Sequence, residues 1–195
     1  ANGGLVVVAA DDPSMHSSQN EQDSRFYGKF ALVPTFEPST QQEAYDMVQA
    51  AFDFSEKYRI PVLMRLTTRM AHSRAMVEPR EARSENSLAY PARTRQWVLM
   101  PGNSRVRYEA LLADYARFEE EAAASPFNRY ADAEDKSLGI IACGIAYNYL
   151  AENYPDGCPH PVLKISQYPL PQELVRRMAS ECGSLLIIEE GQPVV

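Results

Sequence analysis

Leu5 to Ala10 reads LVVVAA, a run without a polar residue, and the fifteen residues that follow, Asp11 to Arg25, contain only Pro13 and Met15 as apolar side chains. A valine-centred run that does not alternate with polar residues is the pattern of a strand buried on both faces of a parallel sheet. Parallel strands need long crossovers, usually helices, so this one run commits the chain to an α/β fold. In open sheets of that kind ligands lie beyond the carboxyl ends of the strands. The polar stretch leaves such an end and is therefore the first candidate site.

The pattern continues downstream. Ala31 to Val33 reads as a short second strand. Pro38 to Gln42 opens a helix over about Thr40 to Tyr58, with Ser39 and Gln42 as a capping-box pair and Ala44, Met47, Val48, Ala51, Phe52 and Ser55 at helical spacing. Ile60 to Leu66 (IPVLMRL) is a further buried strand. Between Glu78 and Arg95 the chain turns charged and irregular, with Pro79, Arg80, Arg83, Pro91, Arg93 and Arg95, which marks a linker. Val106 to Ala124 reads as an amphipathic helix whose Glu119, Glu120 and Glu121 form a solvated face. From Ser137 the alternation resumes. Ser137–Cys143, Val162–Ser166 and Ser184–Ile188 are strands, with helices at Ile145–Asn153 and Pro171–Cys182, the signature of βαβ units in a parallel sheet. The expected organisation is residues 1–77, a connecting region 78–128, and a compact α/β domain 129–195.

A net charge of −7 and a pI near 5.0 argue against nucleic acid or an anionic membrane as partner, since neutralising phosphates takes a basic surface. Cys143, Cys158 and Cys182 are widely spaced and form no CxxC pair, so neither a disulfide framework nor an iron–sulfur or zinc site is encoded. No run approaches the roughly 20 apolar residues of a membrane span, and no secretory leader pattern opens the chain. A cytoplasmic location is the expectation. The chain enters a strand within a few residues of Ala1 and stops soon after another, at Val195, and is expected to be a fragment of something longer.

Within the polar stretch, Ser18 and Glu21 have the spacing of another capping box, which predicts a short helix from about Gln19 whose free N–H groups would face the crevice and suit an anion. His16, Ser17, Gln19, Asn20, Gln22, Asp23 and Arg25 surround it. The competing reading is a well-capped, solvated connection. A hydrolytic triad of His16, Ser17 and Asp11 or Asp12 lacks a G-x-S-x-G elbow, and a metal site on Asp11, Asp12 and His16 competes with the commoner use of paired aspartates as caps. A second loop, Thr67-Thr-Arg69 followed by His72-Ser-Arg74, leaves the same edge of a parallel sheet. Arg69, His72 and Arg74 could converge on the polar loop, where a guanidinium grips a carboxylate or phosphate in bidentate fashion, or Arg69 and Arg74 could pair internally with Asp23 or Glu21. Gly144 is a weak signal, and Glu189-Glu190 is either an exposed turn or a domain contact. There is no GxGxxG and no GxxxxGK[ST].

The run Gly3 to Pro13 with His16-Ser-Ser-Gln-Asn-Glu-Gln-Asp23 and Arg25 resembles the alpha subunit of indolepyruvate ferredoxin oxidoreductase. The resemblance extends through Glu37-Pro38, Pro61-Val62, Thr67-Thr-Arg69, His72-Ser-Arg74, Leu138-Gly-Ile-Ile, Ala146-Tyr-Asn-Tyr149 and Ile188 to Pro193. It implies the later part of a pyrimidine-binding domain, with its parallel sheet, followed by a small transketolase C-terminal-like three-layer α/β domain. It also implies an oxidoreductase that decarboxylates aryl pyruvates such as indolepyruvate to aryl-acetyl-coenzyme A, with ferredoxin as electron acceptor and a beta subunit as partner. Thiamine diphosphate with Mg2+ and 4Fe-4S clusters would serve the full-length enzyme, and none is expected bound to this fragment. By the same resemblance the carboxylate that activates the aminopyrimidine precedes residue 1, and the magnesium-binding domain and ferredoxin-type cysteines follow Val195. The fragment alone is then expected to be inactive. His16, Ser17, Ser18, Gln19, Asn20, Gln22, Asp23, Arg25 and Arg69 become candidates to face cofactor or substrate, with Arg25, Arg69 and the Ser18–Asn20 backbone as the carboxylate contacts. The alternatives are a related enzyme with another 2-oxo acid, such as pyruvate, and a non-catalytic module that docks subunits.

Overall fold

The structure is a computed structural model that describes residues 3–87 and 98–195. Pro91, Arg93 and Arg95 of the expected linker lie outside the described residues. The fold is mixed α/β with two four-stranded sheets.

In the first sheet, β1 (Val6–Asp11), β3 (Val62–Thr67) and β2 (Thr35–Phe36) run parallel, and β7 (Gln167–Tyr168) closes the far side antiparallel to β2. Helix α1 (Arg25–Ala31) connects β1 to β2, α2 (Gln41–Tyr58) connects β2 to β3, and the short α3 (Thr68–His72) follows β3. Met47, Ala51 and Phe54 of α2 cover Phe36, Val62 and Met64, and this is the core of the sheet. Burying each of the larger side chains contributes about 1.5–3 kcal/mol. Helix α4 (Pro101–Ala123) carries Pro101 at its start, where a missing N–H is harmless, and so begins earlier than the expected Val106. It buries only Phe118 and Ala122, and Phe118 packs against Phe54 and Tyr58 with ring centroids 5.4 and 5.0 Å apart.

The second sheet has the order β4 (Arg129–Ala131), β6 (Val162–Ile165), β5 (Gly139–Cys143), β8 (Leu185–Ile188), with β5, β6 and β8 parallel and β4 antiparallel. Helices α5 (Ala146–Asn153) and α6 (Gln172–Glu181) are its crossovers. The two halves are tied together. Strand β7 belongs by sequence to the second half and by pairing to the first sheet. Lys164 of β6 forms a buried ion pair with Glu43 of α2, and burial, outweighing Glu43, holds the ammonium pKa below its ordinary value. Among the described residues no helix is long and apolar enough to cross a membrane.

Four expectations are corrected. Ala31–Val33 is not a strand: α1 runs to Ala31, Leu32 ends it in the left-handed region at φ 57°, and the strand forms at Thr35–Phe36 after Pro34. No helix forms at Gln19. The cap of α2 is shifted by one residue, because Thr40 accepts the Glu43 N–H while the Glu43 carboxylate accepts from Ser39 N and Oγ at 2.6 and 2.7 Å, leaving Gln42 outside the box. Finally, β1 is not buried on both faces. Among the described residues it pairs only with β3, and Val7 and Val8 at this sheet edge are 46% and 57% exposed.

Candidate functional site

Because β1, β2 and β3 are parallel, Asp11, Glu37 and Thr67 emerge from one edge of the first sheet. The carboxyl ends of β5 and β8 meet that edge, bringing Gly144, Glu189 and Glu190 against it. Arg65, fully buried in β3, stands at the centre of the junction. Its Nε donates to Asp11 Oδ2 at 2.6 Å, Nη1 donates to Glu37 Oε1, and Nη2 donates to the Glu190 carbonyl at 2.9 Å. Arg25, at the start of α1 and equally enclosed, binds Asp23 through Nε at 2.8 Å and through Nη2, Glu189 Oε1 through Nη1 at 2.9 Å, and the Gln192 carbonyl at 2.8 Å. Tyr168 of β7 donates to Glu37 Oε2 at 2.9 Å. Buried charges are tolerated only when paired and hydrogen-bonded in this way.

The electrostatics follow from the partners. Burial would raise the Asp23 pKa, but the Arg25 hydrogen bond and the Arg65 and Arg25 charges outweigh it and hold the carboxyl below its ordinary value. Burial would lower the Arg25 pKa, and the Asp23 hydrogen bond with nearby Glu37 raises it instead. Tyr168 and Cys143, both deeply buried, are pushed up by desolvation and stay neutral at pH 7.

The polar loop hangs on its two leading aspartates. Asp12 Oδ2 accepts the N–H groups of Ser17 and Ser18 at 2.6 and 2.7 Å, Asp12 Oδ1 accepts the Thr68 hydroxyl at 2.5 Å, and the Asp12 N–H donates to Gln22 Oε1 at 2.9 Å. The Thr68 hydrogen bond first, then those N–H groups, hold the Asp12 carboxyl well below the usual carboxylate range. Asp11 Oδ2 accepts Ser24 N and Oγ at 2.7 and 2.9 Å. These contacts explain the missing helix. The Ser18 N–H is committed to Asp12, its hydroxyl donates to the Asn20 carbonyl, and Glu21, which would have completed the box, accepts instead from Ser14 N.

The nine candidates therefore separate. Gln22, Asp23 and Arg25 face inward and hold the loop. His16, Ser17, Gln19 and Asn20 are exposed along its outer edge, with Ser18 half-buried among them. The Ser17 and Ser18 N–H groups are turned to Asp12 and away from any ligand. Arg69 does not reach the loop: its Nε lies 3.4 Å from Glu190 Oε1, its guanidinium stacks 5.2 Å above the Tyr149 ring, and its side chain is still 56% exposed. The touch between the two loops is made by Thr68. His72 and Arg74 are exposed. Among the described residues, the buried Thr67 hydroxyl and Glu190 Oε2, the second oxygen of the carboxylate that Arg69 approaches, have no hydrogen-bond partner. Arg69 thus stays largely exposed with one carboxylate contact, while the Arg25 and Arg65 guanidinium groups are enclosed among carboxylates and carbonyls. Sequence reasoning passed over Arg65, although it is the single charged residue in the apolar run Ile60–Leu66 and its position there was a usable signal.

Cys143, Cys158 and Cys182 are free thiols, and among the described residues no group of three or more His, Cys, Asp or Glu side chains is placed to hold a metal ion. The described residues therefore hold no ligand set for an iron–sulfur cluster.

No family model matches the chain. Its sequence is 42% identical over 196 residues to indolepyruvate oxidoreductase subunit IorA of Methanothermobacter marburgensis, covering 98% of this chain and 32% of that protein. It is 39% identical over 199 residues to the subunit of the same name in Archaeoglobus fulgidus, covering 100% and 32%, and 42% identical over 205 residues to that of Pyrococcus abyssi, covering 100% and 31%. The chain spans about a third of the length of the curated relatives it matches. Among solved structures, a 2-oxoglutarate:ferredoxin oxidoreductase from Magnetococcus marinus, with 2-oxoglutarate, coenzyme A and succinyl-CoA bound, superposes with a TM-score of 0.62 at 11% identity, covering 95% of this chain and 41% of that one. At that identity the likeness concerns the fold alone.

Proposed function

The chain is homologous along its whole length to about a third of the IorA subunits of indolepyruvate oxidoreductases, and on that premise we propose that it serves a 2-oxo acid:ferredoxin oxidoreductase acting on aryl pyruvates. The observation that carries this reading is the 37–42% identity to subunits of one name, spread over 98–100% of the chain. The enzyme is read as cytoplasmic, with a beta subunit, ferredoxin and coenzyme A as partners, and the chain by itself as insufficient for turnover. In the whole enzyme, bound thiamine diphosphate supplies the electron sink for decarboxylation, with magnesium and 4Fe-4S clusters held by residues other than those described. No step is assigned to those groups through this chain.

What this chain's residues contribute is reception of the substrate. Arg69 presents a guanidinium preoriented by Tyr149 and is bound to Glu190 at a distance that a stronger, bidentate carboxylate partner can outcompete. A 2-oxo acid carboxylate seated there would lie at the carboxyl end of β3, the sheet edge from which the His16–Asn20 stretch also leaves. Arg25 is buried and already committed to Asp23, Glu189 and the Gln192 carbonyl. In the assembled enzyme, Arg69→Gln is expected to raise KM for indolepyruvate about tenfold or more, since a hydrogen bond to a charged group is worth about 1.5–3 kcal/mol, with kcat largely kept. An unchanged kcat/KM, or turnover of pyruvate in preference to indolepyruvate by the wild type, would overturn the respective part of the reading. A second reading is favoured by one observation: Tyr27 and Phe30 of α1 are 72% and 89% exposed, which suits a surface that docks another subunit.

A further inference from the structure

The turn after β8, Glu189 to Gln192, makes an unusual number of contacts for a connection at the end of a sheet. The Glu189 carboxylate accepts from Arg25, the Glu190 carbonyl from Arg65 and the Gln192 carbonyl from Arg25, while the Gln192 N–H donates to Asp23 Oδ2 at 3.0 Å. Between them Gly191 takes φ +117°, and a Cβ there would sit 2.7 Å from Asp23 Oδ2, 3.2 Å from Arg65 Nη2 and 3.3 Å from Arg25 Nη2. Only glycine combines that conformation with so close an approach. The first sheet cannot satisfy both buried guanidinium groups alone, and three of their acceptors come from this turn.

We infer that the Glu189–Gln192 turn is a positioning element for the polar loop: by holding Arg25, Asp23 and Arg65 it fixes Asp11 and Ser24, and so sets the outer edge His16–Asn20 from the other sheet. Asp11 joins Arg65 to Ser24, and Asp23 and Arg25 close the loop at its end, so a displaced turn frees the loop where it is anchored. The inference rests on the reading that this edge faces substrate, and its test separates the two.

The experiment compares Gly191→Ala with Gly157→Ala in the full-length, assembled protein. Gly157 also has a positive φ, +107°, but no atom lies within 4 Å of a Cβ built there, so it carries the backbone strain without the contacts. Hydrogen exchange of the amides of Ser17, Ser18 and Ser24 is expected to quicken at least tenfold in Gly191→Ala and to match wild type in Gly157→Ala. KM for the 2-oxo acid should rise in Gly191→Ala with kcat kept, whereas a plain folding defect lowers apparent kcat alone. Glu189→Gln, which keeps the shape and removes the charge, gives the same readout if Gly191→Ala does not fold. Exchange unchanged at those amides, or quickened equally throughout the protein, overturns the inference. Quickened loop exchange with KM unchanged upholds the positioning role and overturns the substrate-facing reading of the loop.

Discussion

Arg65 shows what one residue can decide. A guanidinium inside an apolar strand is costly unless several acceptors meet it, and here they come from four separate places in the chain: Asp11, Asp23, Glu37 and the Glu190 carbonyl. Replacing Arg65 by Met removes the cation and leaves Asp11 and Glu37 buried and unneutralised, so the expected loss is about 3–5 kcal/mol of unfolding free energy by denaturant titration. Arg65→Lys keeps the charge without the fork and should lose less. Equal stability of Arg65→Met and wild type would show that the network holds nothing together. Asp12 has a different task from its neighbour. It folds the loop back upon itself, which is why the N–H groups that looked available to a ligand from the sequence are occupied.

At the scale of elements, α1 is the instructive case, because its position depends on the absence of a side chain. A Cβ on Gly28 would lie 2.0 Å from Thr35 Oγ1 and 3.3 Å from Thr35 Cβ, so the helix rests directly on β2. Gly28→Ala is expected to destabilise by about 1–3 kcal/mol, the usual cost of overpacking, despite the better helix propensity of alanine. Thr35→Ala removes the hydroxyl that meets the new methyl and should restore part of the loss in the double variant. Additive losses in thermal melts would remove this explanation. The helix was not legible in the sequence, since Arg25 to Ala31 spans only two turns and its Phe26, Tyr27 and Phe30 remain exposed, which leaves no apolar stripe to read. By contrast α2 was legible almost to the residue, because its caps and its buried Met47, Ala51 and Phe54 all lie within one segment.

At the scale of the whole molecule, the junction makes the stability of both halves depend on the same charges. The folded pKa of Asp23 lies below its ordinary value of 3.8, so its stabilisation is complete above that value and is lost as pH falls below 3.8 and through the folded pKa. Melting temperature is therefore expected to drop steeply below about pH 4 in wild type and less steeply in Asp23→Asn, and parallel curves for the two would dismiss Asp23 as the source. What the sequence by itself determined is local: the apolar strands, the long helix, the alternation that requires a parallel sheet, and the polar stretch at a strand's carboxyl end. Whether Glu189-Glu190 was an exposed turn or a domain contact and whether β1 lay inside or at an edge were decided only by tertiary structure. The physical reason is that each is a question of partners more than a hundred residues away or of a strand's neighbours, and periodicity carries information about neither. Strand β7 makes the same point, for its two residues have no pattern of their own and become a strand only because β2 lies beside them.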